Sequence, residues 1–295
     1  MSDVKKNILT RVLMAVVALP VYVFTIVTDI AYSTPILACS LIITLACLYE
    51  YYQITDRGGD ERAFFKTGML FAVAINVMMY LFAYGDRYGY GEYLPSFDAR
   101  VVLGLIALLL AVVLALQLFT RGIRGASYSL GVTLFGLAYI VFSFSHIIAM
   151  KALTDGVFYI IILNVVVMLN DTMALFGGVL FGRHKTNFPV SPNKSWEGYL
   201  SGLLFSIVAM VVTNQIYISF FDRALFGMLE AVLLGVALSV LGNLGDLAES
   251  AVKRDGAIKD SGSIIPGHGG MWDVFDALIY TYPLFYYYLV LKGVA

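Results

Sequence analysis

The sequence predicts an all-α polytopic membrane protein with about nine transmembrane helices. Three observations carry this expectation. Hydrophobic residues make up 60% of the chain and charged residues 13%, where a soluble domain is roughly a quarter charged. The apolar residues fall in runs close to or above the ~20 needed to cross a bilayer as a helix. These runs lack the alternation of a strand, and a backbone in lipid must satisfy its own hydrogen bonds, as a helix does. The expected spans are 8–28, 33–49, 66–84, 101–120, 127–150, 157–180, 199–221, 225–245 and 274–291.

In chain order, "MSDVKKNILTR" has no small-residue cleavage site after a short apolar core. It reads as a cytoplasmic lead-in to a retained first helix. The second span holds both cysteines, Cys39 and Cys47, which cannot meet on one helix and read as packing residues. The loop 85–100, "GDRYGYGEYLPSFDAR", fits an interfacial turn. His146 reads as a packing or interfacial histidine, and Asn164 and Asn214 as interhelical hydrogen-bond formers. The pairs Gly178/Gly182 and Gly198/Gly202 allow close helix approach. Glu230 is expected near the outer end of its span, and "YPLFYYYLV" in the last span reads as an interfacial belt.

Orientation follows from the basic residues in the connections. Lys5, Lys6, Arg11, Arg57, Arg62, Lys66, Arg121, Arg124, Arg183, Lys185, Lys194, Lys253, Arg254 and Lys259 fall on one side. Arg87, Arg100, Lys151, Arg223 and Lys292 fall on the other. The N-terminus is therefore expected in the cytoplasm. A net charge of −1 leaves no basic excess, which argues against a nucleic-acid partner. The chain divides into residues 1–150, with about five spans, and 151–295. The second part carries two polar loops, 182–198 and 246–273, on the cytoplasmic side.

The chemistry is concentrated there. On a helix, Asp246, Glu249, Ser250 and Lys253 stand at i, i+3, i+4 and i+7 and share one face, with Arg254 about 100° away. Carboxylates on such a stripe suit a hard cation and the lysine a phosphate, although ordinary i,i+4 pairing gives the same pattern. Asp273 and Asp276 lie one turn apart at the start of the last span. The helix dipole accounts for one of them, and two on one face point to a metal site shared with a substrate phosphate. Between the acids, "SGSIIPGHGG" offers His268 and the glycines Gly267, Gly269 and Gly270, whose amides approach an anion closely. Asp171, inside the sixth span, needs a partner or a polar cavity.

These residues resemble the signature of the phosphatidate cytidylyltransferases, also called CDP-diacylglycerol synthases. "SAVKRDGAIKDSGSIIPGHGGMWDVFD" is similar to that family's C-terminal motif, with Ser250, Lys253, Arg254, Lys259, Asp260, Gly262, Pro266, His268, Gly269, Gly270, Asp273 and Asp276 in register. "NDTMALFGGVLFGRHK…SPNKSWEG" resembles a second block, with Asp171, Arg183, Lys185, Ser191, Lys194 and Glu197 as expected substrate-binding positions together with Arg254, Gly269 and Gly270. One position departs: Val274 stands where the family commonly has Arg. The five N-terminal spans carry no diagnostic residue.

The resemblance implies transfer of a cytidylyl group from CTP to phosphatidate, giving CDP-diacylglycerol and pyrophosphate. It implies Mg²⁺, held by Asp246, Asp273 and Asp276 with Asp260 as ligand or orienter, and room for a second cation such as K⁺. Lys253, Lys259 and His268 would bind phosphates, and Ser250 would position one. It also implies a homodimer, and the short loops and lack of a targeting peptide favour a bacterial inner membrane. A CTP-dependent lipid kinase, a cytidylyltransferase for another lipid phosphate, an ion transporter and an inactive paralogue are the competing readings.

Overall fold

The computed structural model describes residues 16–85, 87–89, 99–267 and 269–294. The expectations for Lys5, Lys6, Arg11, His268 and most of the 85–100 loop lie outside the described residues. Within them the chain is helical, without named strands. The helices are α1 (Val16–Val27), α2 (Ile30–Ile54), α3 (Phe65–Tyr84), α4 (Ala99–Leu116), α5 (Ala126–Ala152), α6 (Gly156–Phe181), α7 (Trp196–Phe221), α8 (Met228–Asp255) and α9 (Met271–Leu291). All but α1 are long and apolar enough to cross a bilayer; for α4 the span counted runs on to Arg121. A widened π-turn, Gln117–Arg121, continues α4, and another, Leu137–Phe142, sits inside α5.

Two helix ends differ from the sequence expectation in ways that matter. The second span, expected to stop at 49, continues to Ile54, which puts Glu50 on α2. The eighth, expected to stop at 245, continues to Asp255, so the first third of the expected 246–273 loop is helix. Neither extension is apolar, and hydropathy sees only the part of a helix that faces lipid. Helix hydrogen bonding carries on wherever protein surrounds the polar side chains.

Helices α6, α7 and α8 pack on one another, as do α2, α3 and α5, and α9 packs against members of both groups. The centre of the bundle is α5, where Leu137, Ile140, Phe144, Ile147 and Ile148 are buried. His146 is buried beside them and its Nδ1 lies 2.8 Å from the Phe142 carbonyl, the satisfied packing histidine expected. Close approach of α6 and α7 uses the expected small residues: a methyl on Gly198 would lie 3.3 Å from Gly178 Cα.

Polar residues tie the spans internally. Asn164 donates to the Tyr282 hydroxyl at 2.9 Å and accepts from Tyr22, joining α6 to α9 and α1. Asn214 instead bonds both backbone groups of Phe226, pinning the α7–α8 turn. Asn170 joins three helices, accepting from Ser206 at 3.2 Å and Ser239 at 2.7 Å and donating to Asn243 at 3.3 Å.

The connections divide between two ends. At one, Arg57 pairs with Asp255 at 2.9 Å, Arg121 donates to the Ala63 carbonyl, and Tyr128 donates to the Thr55 carbonyl. At the other, Arg223 pairs with Asp155 at 2.7 Å and Lys292 with Glu230 at 2.5 Å. Because Asn170 holds α6, α7 and α8 by buried hydrogen bonds, Asn170→Ala should lower stability by about 1–2 kcal/mol. Thermal unfolding in detergent measures this.

Candidate active site

The acids expected to act together come from two helix ends, the interior of α6 and one loop. Near its C-terminus, α8 presents Asp246, Glu249 and Lys253 from one face, and α9, which begins at Met271, carries Asp273 in its first turn and Asp276 in its second. The contact between these helices is close: a methyl on Gly245 would lie 2.8 Å from Tyr280 Cβ and 3.0 Å from the Asp276 carbonyl. Only glycine lets the α8 acids reach those of α9.

Carboxylate oxygens of Asp246, Glu249 and Asp276 lie within 4.8 Å of one another. They border a cavity of about 200 Å³, also lined by Asp171, Asp260, Asp273 and Lys253. Asp171, exposed toward this space, thereby has the polar cavity that its place in a span demands. Six acids thus face a single lysine around the cavity, with Lys194 of the 182–198 loop paired to Asp246 from outside it. Burial pushes the Lys194 ammonium below the ordinary lysine range, and Asp171, Asp276 and Glu249 oppose that shift.

Asp273 does not join the triad. Its Oδ1 accepts from Lys253 Nζ at 2.7 Å. Its Oδ2 accepts from the amides of Ser261 at 2.8 Å and Gly270 at 2.7 Å, and lies 3.0 Å from Ser261 Oγ. This is the N3 carboxylate of a helix cap reaching back to its own N-terminus. Lys253 is buried and also lies 2.5 Å from Glu249 Oε2, so it bridges the two acids. Glu249 Oε1 has no hydrogen-bond partner among the described residues. The arrangement therefore differs from the metal set Asp246, Asp273, Asp276 and Asp260: Glu249 stands where Asp273 was expected, and Asp260 is exposed at the rim. The signal for Glu249 was present in the i, i+3 spacing from Asp246.

The glycine turn also differs from expectation. Ile265 and Gly269 exchange both backbone hydrogen bonds, at 2.9 and 3.1 Å, so the Gly269 amide is bonded within the turn. The Gly270 amide serves Asp273. Neither is left for a phosphate. Space explains Gly270 instead, because a methyl there would fall 2.0 Å from Ser261 Oγ and 2.5 Å from Glu50 Oε2.

Sequence reasoning missed Glu50. It is buried on α2, and its Oε1 accepts from the Met271 amide at 2.9 Å. Its Oε2 accepts from the Trp272 amide and from Ser261 Oγ, each at 2.9 Å.

The other loop folds into a short hairpin. Lys185 opposes Ser195 in an isolated bridge and donates to the Asn193 carbonyl at 2.9 Å. Ser191 closes the tip, its amide donating to the Phe188 carbonyl at 3.0 Å. Glu197 lies 2.5 Å from His184 Nδ1 and accepts from the His184 amide, so it anchors the hairpin. Lys185 and Lys194 line a second cavity of about 520 Å³ with Leu175, Val179 and Tyr199. Asp171 and Asn243 border both cavities. Arg183 and Lys259 are exposed, Ser250 is buried behind the α8 acids, and Val274 is half-buried. Arg254 points away and donates to the Ile258 carbonyl at 2.8 Å.

The profile of the cytidylyltransferase family matches residues 9–292, and the chain belongs to that family. Among curated proteins it is similar to the phosphatidate cytidylyltransferase of Staphylococcus haemolyticus, 39% identical over 151 residues, which are 51% of this chain and 55% of that protein. The enzyme of the same name from Staphylococcus aureus is 43% identical over 133 residues, 44% of this chain and 48% of that protein. The chain thus spans about half the length of the curated relatives it matches.

Removing Lys253 takes the paired cation from buried Glu249 and from half-buried Asp273. Lys253→Met is expected to destabilise the protein by about 3 kcal/mol or more, read as a lower unfolding temperature in detergent, whereas Lys253→Arg keeps most of the stability.

Proposed function

We propose that this chain transfers the cytidylyl group of CTP to phosphatidate, giving CDP-diacylglycerol and pyrophosphate, at the cytoplasmic face of a bacterial inner membrane. The observation that carries this reading is the Asp246, Glu249 and Asp276 cluster, set beside two lysines at the junction of a polar and a partly apolar cavity. Family membership and the named relatives support the same reaction.

The cluster fits a magnesium ion. Three carboxylate oxygens within 4.8 Å of one another would hold such a hard cation, which takes oxygen ligands and shares them with water and phosphate. The excess of acids over lysines calls for added positive charge. Bound there, Mg²⁺ would offset the charge of the phosphates.

The remaining roles belong to the chain. Lys194 and Lys185 line the larger cavity and suit the triphosphate, while Leu175 and Val179 suit the lipid. Lys253 holds Glu249 and Asp273 apart at fixed distances, which keeps the acids aimed. In the reaction a phosphatidate phosphate oxygen bonds to the α-phosphorus of CTP, and the bond from that phosphorus to the α,β-bridging oxygen breaks. Phosphatidate needs no strong base, because a phosphate monoester has its second pKa near about 6. Catalysis then rests on alignment and charge. The basic residues gathered at the site's end of the bundle support a cytoplasmic orientation. The resemblance is also the ground for a homodimer.

The test is turnover of purified protein with phosphatidate, Mg²⁺ and CTP labelled at either the α- or the γ-phosphate. Label from the α-position should enter the lipid and γ-label should leave as pyrophosphate; γ-label in lipid would instead mean a kinase. Asp276→Asn and Glu249→Gln are each expected to lower kcat by about a hundredfold or more while the protein still folds.

A further inference from the structure

We propose that Glu50, in the first half of the chain, is a positioning residue of the active site: it caps the N-terminus of α9 from a neighbouring helix and thereby sets where Asp273 and Asp276 stand. The inference rests on the reading of this site as a cytidylyl-transfer centre, and part of its test does not.

The argument begins with unmet backbone donors. The first amides of a helix have no partner inside it. In α9 the Gly270 amide is taken by Asp273, and those of Met271 and Trp272 are taken by Glu50 at 2.9 Å each. The partners are more than two hundred residues apart in sequence. Glu50 is 2% exposed and borders neither active-site cavity. It therefore reaches the site only through what it holds.

What it holds is a chain of contacts that ends at the acids. Ser261 Oγ stands between Glu50 Oε2 at 2.9 Å and Asp273 Oδ2 at 3.0 Å, and its single proton serves one carboxylate at a time. Asp273 in turn fixes Lys253, and Lys253 fixes Glu249. The space around Glu50 is cut to its shape: methyls on Gly262 and Gly270 would fall 2.6 and 2.5 Å from its oxygens. A residue that served only as filler would not need two glycines to leave room for its carboxylate.

Among the described residues, every group bonded to Glu50 is a donor. Glutamine at this position keeps the size but turns one acceptor oxygen into an NH₂ that faces a backbone N–H. Glu50→Gln should therefore let the loop and the first turn of α9 move while the cavities keep their linings. The expected result is a fall in kcat of about a hundredfold with KM for CTP within about threefold, since no substrate contact in the cavities is lost. Hydrogen–deuterium exchange should rise in peptides covering 259–275 and stay unchanged in α6 and α7. An unchanged kcat in folded Glu50→Gln, or a loss confined to KM, overturns the proposal. If the unsubstituted protein shows no cytidylyl transfer, the exchange measurement still decides: unaltered protection over 259–275 overturns the proposal independently of the reaction. If Glu50→Gln fails to fold, Gly262→Ala and Ser261→Ala disturb the same cradle with Glu50 in place. Each should lower kcat and loosen 259–275, and wild-type behaviour in both overturns the proposal.

Discussion

The structure is organised around one electrostatic constraint, the gathering of six acids about a cavity of about 200 Å³ at the end of a helical bundle. An ionised carboxylate removed from water is costly unless it is paired and hydrogen-bonded. The chain answers by treating its acids in two ways. Asp273 and, behind it, Glu50 are saturated by backbone amides, the Ser261 hydroxyl and, for Asp273, Lys253. Asp246, Glu249 and Asp276 receive far less. Lys194 reaches Asp246, Lys253 reaches Glu249, and the Ala277 amide reaches Asp276 at 2.5 Å. The first set builds the wall and the second set is left with charge to share.

The scaffold can hold such a wall because it is rigid where the acids sit. Each carboxylate of the triad comes from a helix instead of a loop, and α8 and α9 meet through Gly245 at backbone distance. Asn170 fastens α6 to α7 and α8 just beside the cavity. In lipid, packing and interhelical hydrogen bonds replace the hydrophobic drive between helices. The same residues therefore stabilise the bundle and fix the site.

Much of this was legible in the sequence, for reasons that also explain what was not. The spans follow from apolar run length, and the shared face of Asp246, Glu249 and Lys253 follows from helical spacing, because both are local properties. The bonding of Asp273 and of the glycine turn was not legible. Sequence shows that a carboxylate and free amides are near one another, and it does not show that they satisfy each other. Glu50 was hidden by a different cause. The hydropathy of α2 fades at Tyr49, so the expected span ended one residue before the side chain that meets α9. Its partners, Ser261, Met271 and Trp272, lie far along the chain, and no periodicity links positions so distant.

The hydrogen bonds between Ile265 and Gly269 bear on how the proposed site would handle phosphate. A loop with open amides would bind an anion by backbone hydrogen bonds, as helix N-termini often do. Here the amides of Gly270, Met271 and Trp272 at the N-terminus of α9 are taken by two of the protein's own carboxylates, so they are not open to an incoming phosphate. In the proposed reaction, attraction would come from the lysines of the hairpin and from a cation held by Asp246, Glu249 and Asp276. In that reading a phosphate would lie away from the α9 terminus, on the side of the cavity where Asp171 and Asn243 join it to the larger space. The internal cap thus does more than stabilise a helix. It also occupies amides that could otherwise hold an anion beside the cavity proposed to receive the substrate phosphates.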